Sequence, residues 1–192
     1  MESKSYFNQE AVILWKQFLQ GNEDSFAQLM RIFSPQMFRY GIRINDNQEF
    51  IEDCLQNIFC ELWNRRSFLK PTESVKFYLF KALRNRIFRD QMKWSRHDDI
   101  DADYNFEVSF DVQTDIIKQE VSEELRSKLD NLMLKLSKRQ KEIIYLRFYE
   151  GLSQEKIAEI MGLNVQSVYN LLHESILRLR TYWIKSPLYY CL

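Results

Sequence analysis

The stretch from His97 to Asp115, HDDIDADYNFEVSFDVQTD, holds seven aspartates and glutamates and no lysine or arginine. Such a run repels itself, and it carries no helical periodicity, so it predicts an extended linker over residues 97–115. A chain interrupted in this way is expected to fold as two parts, 1–96 and 116–192, each long enough to build a small core. The formal net charge of zero conceals the division. Before the stretch 15 Lys and Arg stand against 11 Asp and Glu, and after it 12 stand against 9. A solvated loop of no consequence has the same charge pattern, and the scattered aromatics Tyr104, Phe106 and Phe110 could dock on a neighbouring surface.

Both parts read as helical. Only 4 Gly and 3 Pro occur in 192 residues, too few for the many tight turns of an all-β chain, while 45% hydrophobic residues mark a globular protein. The expected fold class is all-α: two small helical domains joined by the acidic linker. Cys54, Cys60 and Cys191 do not have the spacing of a metal cluster and read as reduced thiols. The N-terminus has only a short apolar run from Ala11 to Trp15, and no apolar stretch approaches a membrane span, so a cytoplasmic protein without membrane insertion is expected. Neither His97 nor His173 has Cys, Asp or Glu at ligand or triad spacing, and no glycine-rich phosphate loop appears. These patterns point away from an enzyme, a metal, a cofactor or a small-molecule substrate.

Four helices are predicted before the linker: Gln9 to Leu19, Asp24 to Arg43 with Pro35 as a kink or break, Asn47 to Arg66, and Glu73 to Trp94. The third sets Phe50, Ile51, Leu55, Ile58, Phe59 and Leu62 on an apolar face and leaves Glu52, Asp53, Gln56, Asn57 and Glu61 outside, half core and half docking surface. The fourth carries Lys76, Lys81, Arg84, Arg86, Arg89, Lys93 and Arg96 interleaved with Phe77, Tyr78, Phe80, Phe88 and Trp94. Cations draw phosphates and aromatic faces stack unpaired bases, so this pattern suits single-stranded nucleic acid, although Phe80, Leu83 and Ile87 belong to a core. A basic amphipathic helix also suits an anionic membrane surface.

After the linker, GLSQEKIAEIMG and GLNVQSVYNLLH read as the two halves of a helix-turn-helix. Ser153 caps the first helix, Gly162 ends it, and Asn164 caps the second. Helical spacing puts Val168, Leu171, Leu172, Ser175, Ile176 and Leu179 inside and Gln166, Ser167, Tyr169, Asn170, His173 and Glu174 outside. From Leu163 to Leu172 there is no charged residue, unusual for a helix that reads DNA. An ordinary helical hairpin joined at glycine has the same outline.

Taken in order, these parts resemble a bacterial sigma factor of the extracytoplasmic-function group. IEDCLQNIFCELW resembles the core-polymerase-binding helix, FYLFKALRNRIF the promoter-melting and minus-ten segment, and LSKRQKEIIYLRFYEGLSQEKIAEIMGLNVQSV the C-terminal domain, through Leu136, Gln140, Leu146, Gly151, Ile157, Ala158, Gly162 and Val168. Tyr78 replaces a more usual tryptophan, Asn57 a more usual acid and Ser137 a more usual proline. The resemblance implies a protein that joins the RNA polymerase core, selects promoter DNA and helps to open it, without catalysing a reaction. It assigns polymerase binding to Asp53, Gln56, Asn57, Phe59 and Trp63, and minus-ten DNA to Lys76, Tyr78, Lys81, Arg84, Asn85, Arg86, Arg89 and Lys93. Minus-thirty-five DNA falls to Gln166, Ser167, Tyr169, Asn170, His173, Arg178 and Arg180. It also implies an anti-sigma factor as a partner. Where the family commonly has lysine and arginine this chain has Tyr169, Leu171 and Glu174, leaving Arg178, Arg180, Lys138, Arg139 and Lys141 for phosphates. The rival reading is a helix-turn-helix regulator that does not bind polymerase core.

Overall fold

The computed structural model describes residues 2–94, 106–107 and 129–184, and in these residues every regular element is helical. It divides into two compact units, Met1–Tyr104 and Asn105–Leu192. The predicted linker lies outside the described residues except for Phe106 and Glu107, and so does Cys191.

The first unit contains α1 (Glu2–Leu19), α2 (Glu23–Ile44), α3 (Gln48–Asn64), a 3-10 turn (Arg66–Phe68) and α4 (Val75–Trp94). Short polar residues set the starts: Asn22 Oδ1 accepts from the Ser25 N–H at 2.8 Å and Asn47 Oδ1 from the Phe50 N–H at 3.0 Å. Of the kink or break expected at Pro35, the break does not occur: α2 runs through it. Its ring is on the exposed side, while Leu29, Phe33, Met37 and Tyr40 are buried before and after it and hold both halves to one core. Gln36 Nε2 also donates to the Ile32 carbonyl at 3.0 Å, supporting the turn to which proline brings no N–H. Gly41 lets α2 approach α3 closely, since a Cβ there would come within 2.7 Å of Ile51 Cγ2. The core is strongly aromatic: Trp15 packs on Phe18 at 5.2 Å, Phe18 stacks on Phe26 at 4.9 Å and Tyr40 on Phe80 at 5.0 Å.

The second unit runs from a helical turn at 129–133 through α5 (Lys138–Ile144), a π-helical segment (Tyr145–Tyr149) and α6 (Gln154–Met161) to α7 (Val165–Ile184). Ser137, where the family commonly has proline, starts α5 through a reciprocal capping box. Its hydroxyl accepts from the Gln140 N–H at 3.3 Å, and Gln140 Oε1 accepts from the Ser137 N–H at 3.0 Å. Phe106 is fully buried, edge-on to Tyr145 at 5.8 Å, so one of the three linker aromatics packs into the second unit. On α7, Val168, Leu172 and Ser175 are buried as predicted and Leu171 and Leu179 are half-buried, but Ile176 is 43% exposed. Within the inner arc predicted from spacing, Ile176 lies at the margin.

Gly162 closes α6 in the left-handed conformation, with φ of 66°. No atom lies within 4 Å of where its Cβ would be, so backbone strain is the whole effect of a side chain there. Gly162→Ala is expected to destabilise the second unit by about 1 to 2 kcal/mol, read by chemical denaturation. An unchanged midpoint would show that the turn relaxes to another conformation.

Candidate functional site

Three surfaces hold the residues singled out above. The first is the outer face of α3. Asp53, Gln56 and Asn57 are exposed on it, whereas Phe59 is buried beneath it and Trp63 is half-buried. Phe26 of α2 meets Trp63 at 5.2 Å and Phe59 at 6.1 Å, and with Met30, Gln56 and Cys60 these rings line a groove of about 460 Å³. Arg66 holds Trp63 in place, its guanidinium 4.3 Å from the ring and donating to the Trp63 carbonyl at 2.7 Å. This is a polar rim around an aromatic floor, the composition of a protein-docking surface. Inside α3, burial pushes the Cys54 thiol up to about 11, so it stays neutral near pH 7.

The second surface is a cleft of about 260 Å³ between α3 and α4. Glu61 and Arg65 form one side, and Tyr78, Asn85, Arg86 and Arg89 the other. Tyr78 is held by its ring, 5.1 Å from Trp15, and burial raises its pKa. Arg84 lies 4.4 Å over Phe88, Lys81 5.4 Å over Phe77 and Lys76 5.5 Å over Phe80, so the interleaving of cations and aromatics is used locally, each cation leaning on a ring of its own helix. Asn85 and Arg89 are exposed; the side chain of Lys93 lies outside the described residues.

Arg86 differs from the other cations of α4. It donates to Glu61 Oε1 at 2.6 Å and to Asp90 Oδ2 at 2.8 Å, and its side chain is 14% exposed. Burial alone would disfavour its charge, but the bonds to Glu61 and Asp90 outweigh this and raise its pKa. It therefore ties α3 to α4. Neither this pairing nor the part of Arg65 in the cleft could be read from periodicity, because both depend on which turns of two helices lie opposite each other.

The third surface is the helix-turn-helix. Ser153 Oγ accepts from the Lys156 N–H at 3.4 Å, the Leu163 N–H returns to the Ala158 carbonyl at 2.9 Å, and Asn164 Oδ1 accepts from the Ser167 N–H at 2.7 Å. Gln166, Tyr169, Asn170 and His173 are exposed on α7, and Ser167 is half-buried. Gln166 Nε2 donates to Asn170 Oδ1 at 2.9 Å, and the Tyr169 and His173 rings lie parallel at 6.2 Å. Arg178 and Arg180 are exposed nearer the C-terminal end, and Lys138 is exposed at the start of α5. The same unit has an apolar groove of about 410 Å³ lined by Met133, Tyr145, Phe148, Ile176, Leu179 and Trp183, with Phe148 58% exposed. Helical spacing had turned Ile176 inward, which hid this groove from the sequence.

Among the described residues no group of His, Cys, Asp and Glu is arranged to hold a metal ion, and no helix is long and apolar enough to cross a membrane.

The family model for sigma-70, region 4 matches residues 126–179, which include the helix-turn-helix. The RNA polymerase sigma factor YlaC of Bacillus subtilis (strain 168) is 26% identical over 176 residues, covering 86% of this chain and 95% of that protein. Among solved structures, the sigma factor RpoE in complex with the anti-sigma factor NepR from Bartonella quintana superposes with a TM-score of 0.58 at 23% identity, covering 82% of this chain and 96% of that one. CnrH, solved with the cytosolic domain of CnrY, gives 0.56 at 20% identity, covering 92% and 99%. At these identities the two structures speak for the fold.

Proposed function

We propose that the chain is a sigma factor of the extracytoplasmic-function group, with a division of labour among its surfaces. As a sigma factor it binds the RNA polymerase core and directs promoter-specific initiation. The observation that carries this is the region 4 match on the helix-turn-helix, joined to a likeness to a curated sigma factor that extends over 86% of the chain. The outer face of α3, with Asp53, Gln56 and Asn57 over the groove floored by Phe59 and Trp63, docks on the polymerase core. The cleft between α3 and α4 takes the opened minus-ten strand: Arg84 and Arg89 meet phosphates, Asn85 meets a base edge, and Tyr78 offers a ring. The helix-turn-helix takes the minus-thirty-five element. The protein works by binding rather than by catalysis, in the cytoplasm, where polymerase and promoters are. An anti-sigma factor would act by covering these same surfaces.

In this reading residues 1–96 and 116–192 are the two working domains and 97–115 connects them, with Phe106 fastening the connection to the second. The rival, a helix-turn-helix regulator that binds some other partner through its N-terminal helices, gives the exposed face of α3 a different occupant, and core binding separates the two.

Copurification with the RNA polymerase core tests the reading directly. The double variant Asp53→Ala, Gln56→Ala is expected to weaken core binding by about tenfold or more while leaving the fold intact, because both side chains are exposed. Wild-type binding by that variant would remove α3 from the interface, and a wild-type chain that bound promoter DNA but not core would establish the rival.

A further inference from the structure

The face of α7 that would enter the major groove lacks the cations that most often read guanine. No lysine or arginine occurs from Leu163 to Glu174, and these are the side chains that grip guanine O6 and N7. What it has instead is a matched pair of amides. Gln166 and Asn170 are one turn apart and already joined, Gln166 Nε2 donating to Asn170 Oδ1 at 2.9 Å, which leaves the Gln166 Oε1 acceptor and the Asn170 Nδ2 donor for a ligand. One acceptor beside one donor complements the N6 donor and N7 acceptor of adenine. Beside them stand exposed apolar surfaces: Val165 is 43% exposed, and Tyr169, its ring parallel to that of His173 at 6.2 Å, is 51% exposed. In the major groove the apolar feature is the thymine methyl. Cations return only at Arg178 and Arg180, both exposed and beyond the reading turns, where they suit phosphates.

We propose that this face selects an A·T-rich minus-thirty-five element, reading adenine with the linked Gln166 and Asn170 amides and thymine methyls with Val165 and Tyr169. The inference rests on the sigma-factor reading and adds its base specificity. The internal bond between the amides fixes their rotamers before binding, so less side-chain freedom is lost on DNA than two separate amides would lose. Discrimination then comes from hydrogen-bond pattern and methyl contact, while the phosphate contribution is small.

The test uses holoenzyme reconstituted from the full chain and polymerase core, with core binding measured first on the same preparation. A pool of promoter duplexes randomised over the minus-thirty-five turn is selected, and the enriched duplex is remade with uracil for thymine, which removes the methyl, and with 7-deazaadenine, which removes N7. Enrichment of A·T pairs is expected, with a loss of about fivefold to a hundredfold on 7-deazaadenine substitution at one position. Asn170→Ala is expected to abolish that difference, and Val165→Ala with Tyr169→Ala the difference between thymine and uracil. Arg178→Ala is expected to weaken all duplexes alike and to lower the salt slope by about one unit. An enriched element rich in guanine, no enrichment, or enrichment indifferent to both base analogues would overturn the proposal while core binding stood. Loss of core binding by the wild-type chain would overturn the sigma-factor reading, and this inference with it.

Discussion

Trp15→Ala is expected to cost the first unit about 3 to 5 kcal/mol, a large share of the stability of a domain this size. Trp15 is 1% exposed and meets three separate parts of the unit. It packs edge-on against Phe18 at 5.2 Å, it supports Tyr78 of α4 at 5.1 Å, and its Nε1–H donates to the Lys70 carbonyl at 3.2 Å, holding the segment that leads into α4. Alanine removes all three contacts and leaves a cavity that the helices can close only in part. Trp15→Phe keeps most of the packing and loses the hydrogen bond, so its cost is expected to be about 1 kcal/mol. Because Tyr78 forms part of the cleft, minus-ten opening is expected to fall with Trp15→Ala even where enough folded protein remains to bind core. Hydrogen exchange resolved along the chain provides the measurement. Protection in α1 to α4 is expected to drop, and protection in α5 to α7, whose core is built on Tyr145, Leu146, Ile157 and Val168, to stay. Equal loss in both units would contradict two independently folding parts.

The contrast between Trp15 and Gly162 marks how far the sequence can be read. Gly162, Asn164 and Ser153 are local devices, each acting within a few residues of itself, and they were legible as the frame of a helix-turn-helix. The exposed face of α3 was legible for a similar reason, since helical period separates Asp53, Gln56 and Asn57 from Ile51, Leu55 and Ile58 with no knowledge of the partner helix. Of the two outcomes proline suggests, kink or break, the break does not occur at Pro35, because the rule that proline breaks a helix is local while the burial of Phe33 and Met37 that overrides it is tertiary. Ser137 stands out in sequence as a departure from a family pattern, although SKRQ also has the spacing of the capping box it forms with Gln140. Arg86 was the least legible. In sequence it is one cation among six on α4, and what sets it apart is Glu61, twenty-five residues earlier.

That pairing changes what the α4 cations are expected to do. Arg84 and Arg86 read alike in sequence as melting residues, yet Arg84 lies over Phe88 while Arg86 is bonded to Glu61 and Asp90. Arg84→Ala is expected to leave stability within about 1 kcal/mol of wild type, because a cation on a half-buried ring of its own helix contributes little, and to reduce minus-ten opening through loss of a phosphate contact. Arg86→Ala is expected to cost about 2 kcal/mol of stability as well. The larger part comes from the Asp90 side, where both side chains are under one-fifth exposed, while the Glu61 carboxylate is 57% exposed and its bond is screened. The two arms should therefore part company with salt: raising ionic strength weakens the effect of Glu61→Gln and leaves most of the effect of Asp90→Asn. In a double-mutant cycle, Arg86→Ala with Asp90→Asn is expected to cost less than the sum of the single changes by about 1 kcal/mol, as side chains in one network do. Arg86→Lys retains the charge but cannot span both carboxylates, so it should recover part of the stability and of the opening. Permanganate reactivity of the minus-ten region, measured beside core binding and denaturation midpoints, separates the cases. If Arg86→Ala reduces opening while stability is unchanged and the cycle with Asp90→Asn is additive, Arg86 contacts DNA directly, and the link between α3 and α4 lies elsewhere in the cleft.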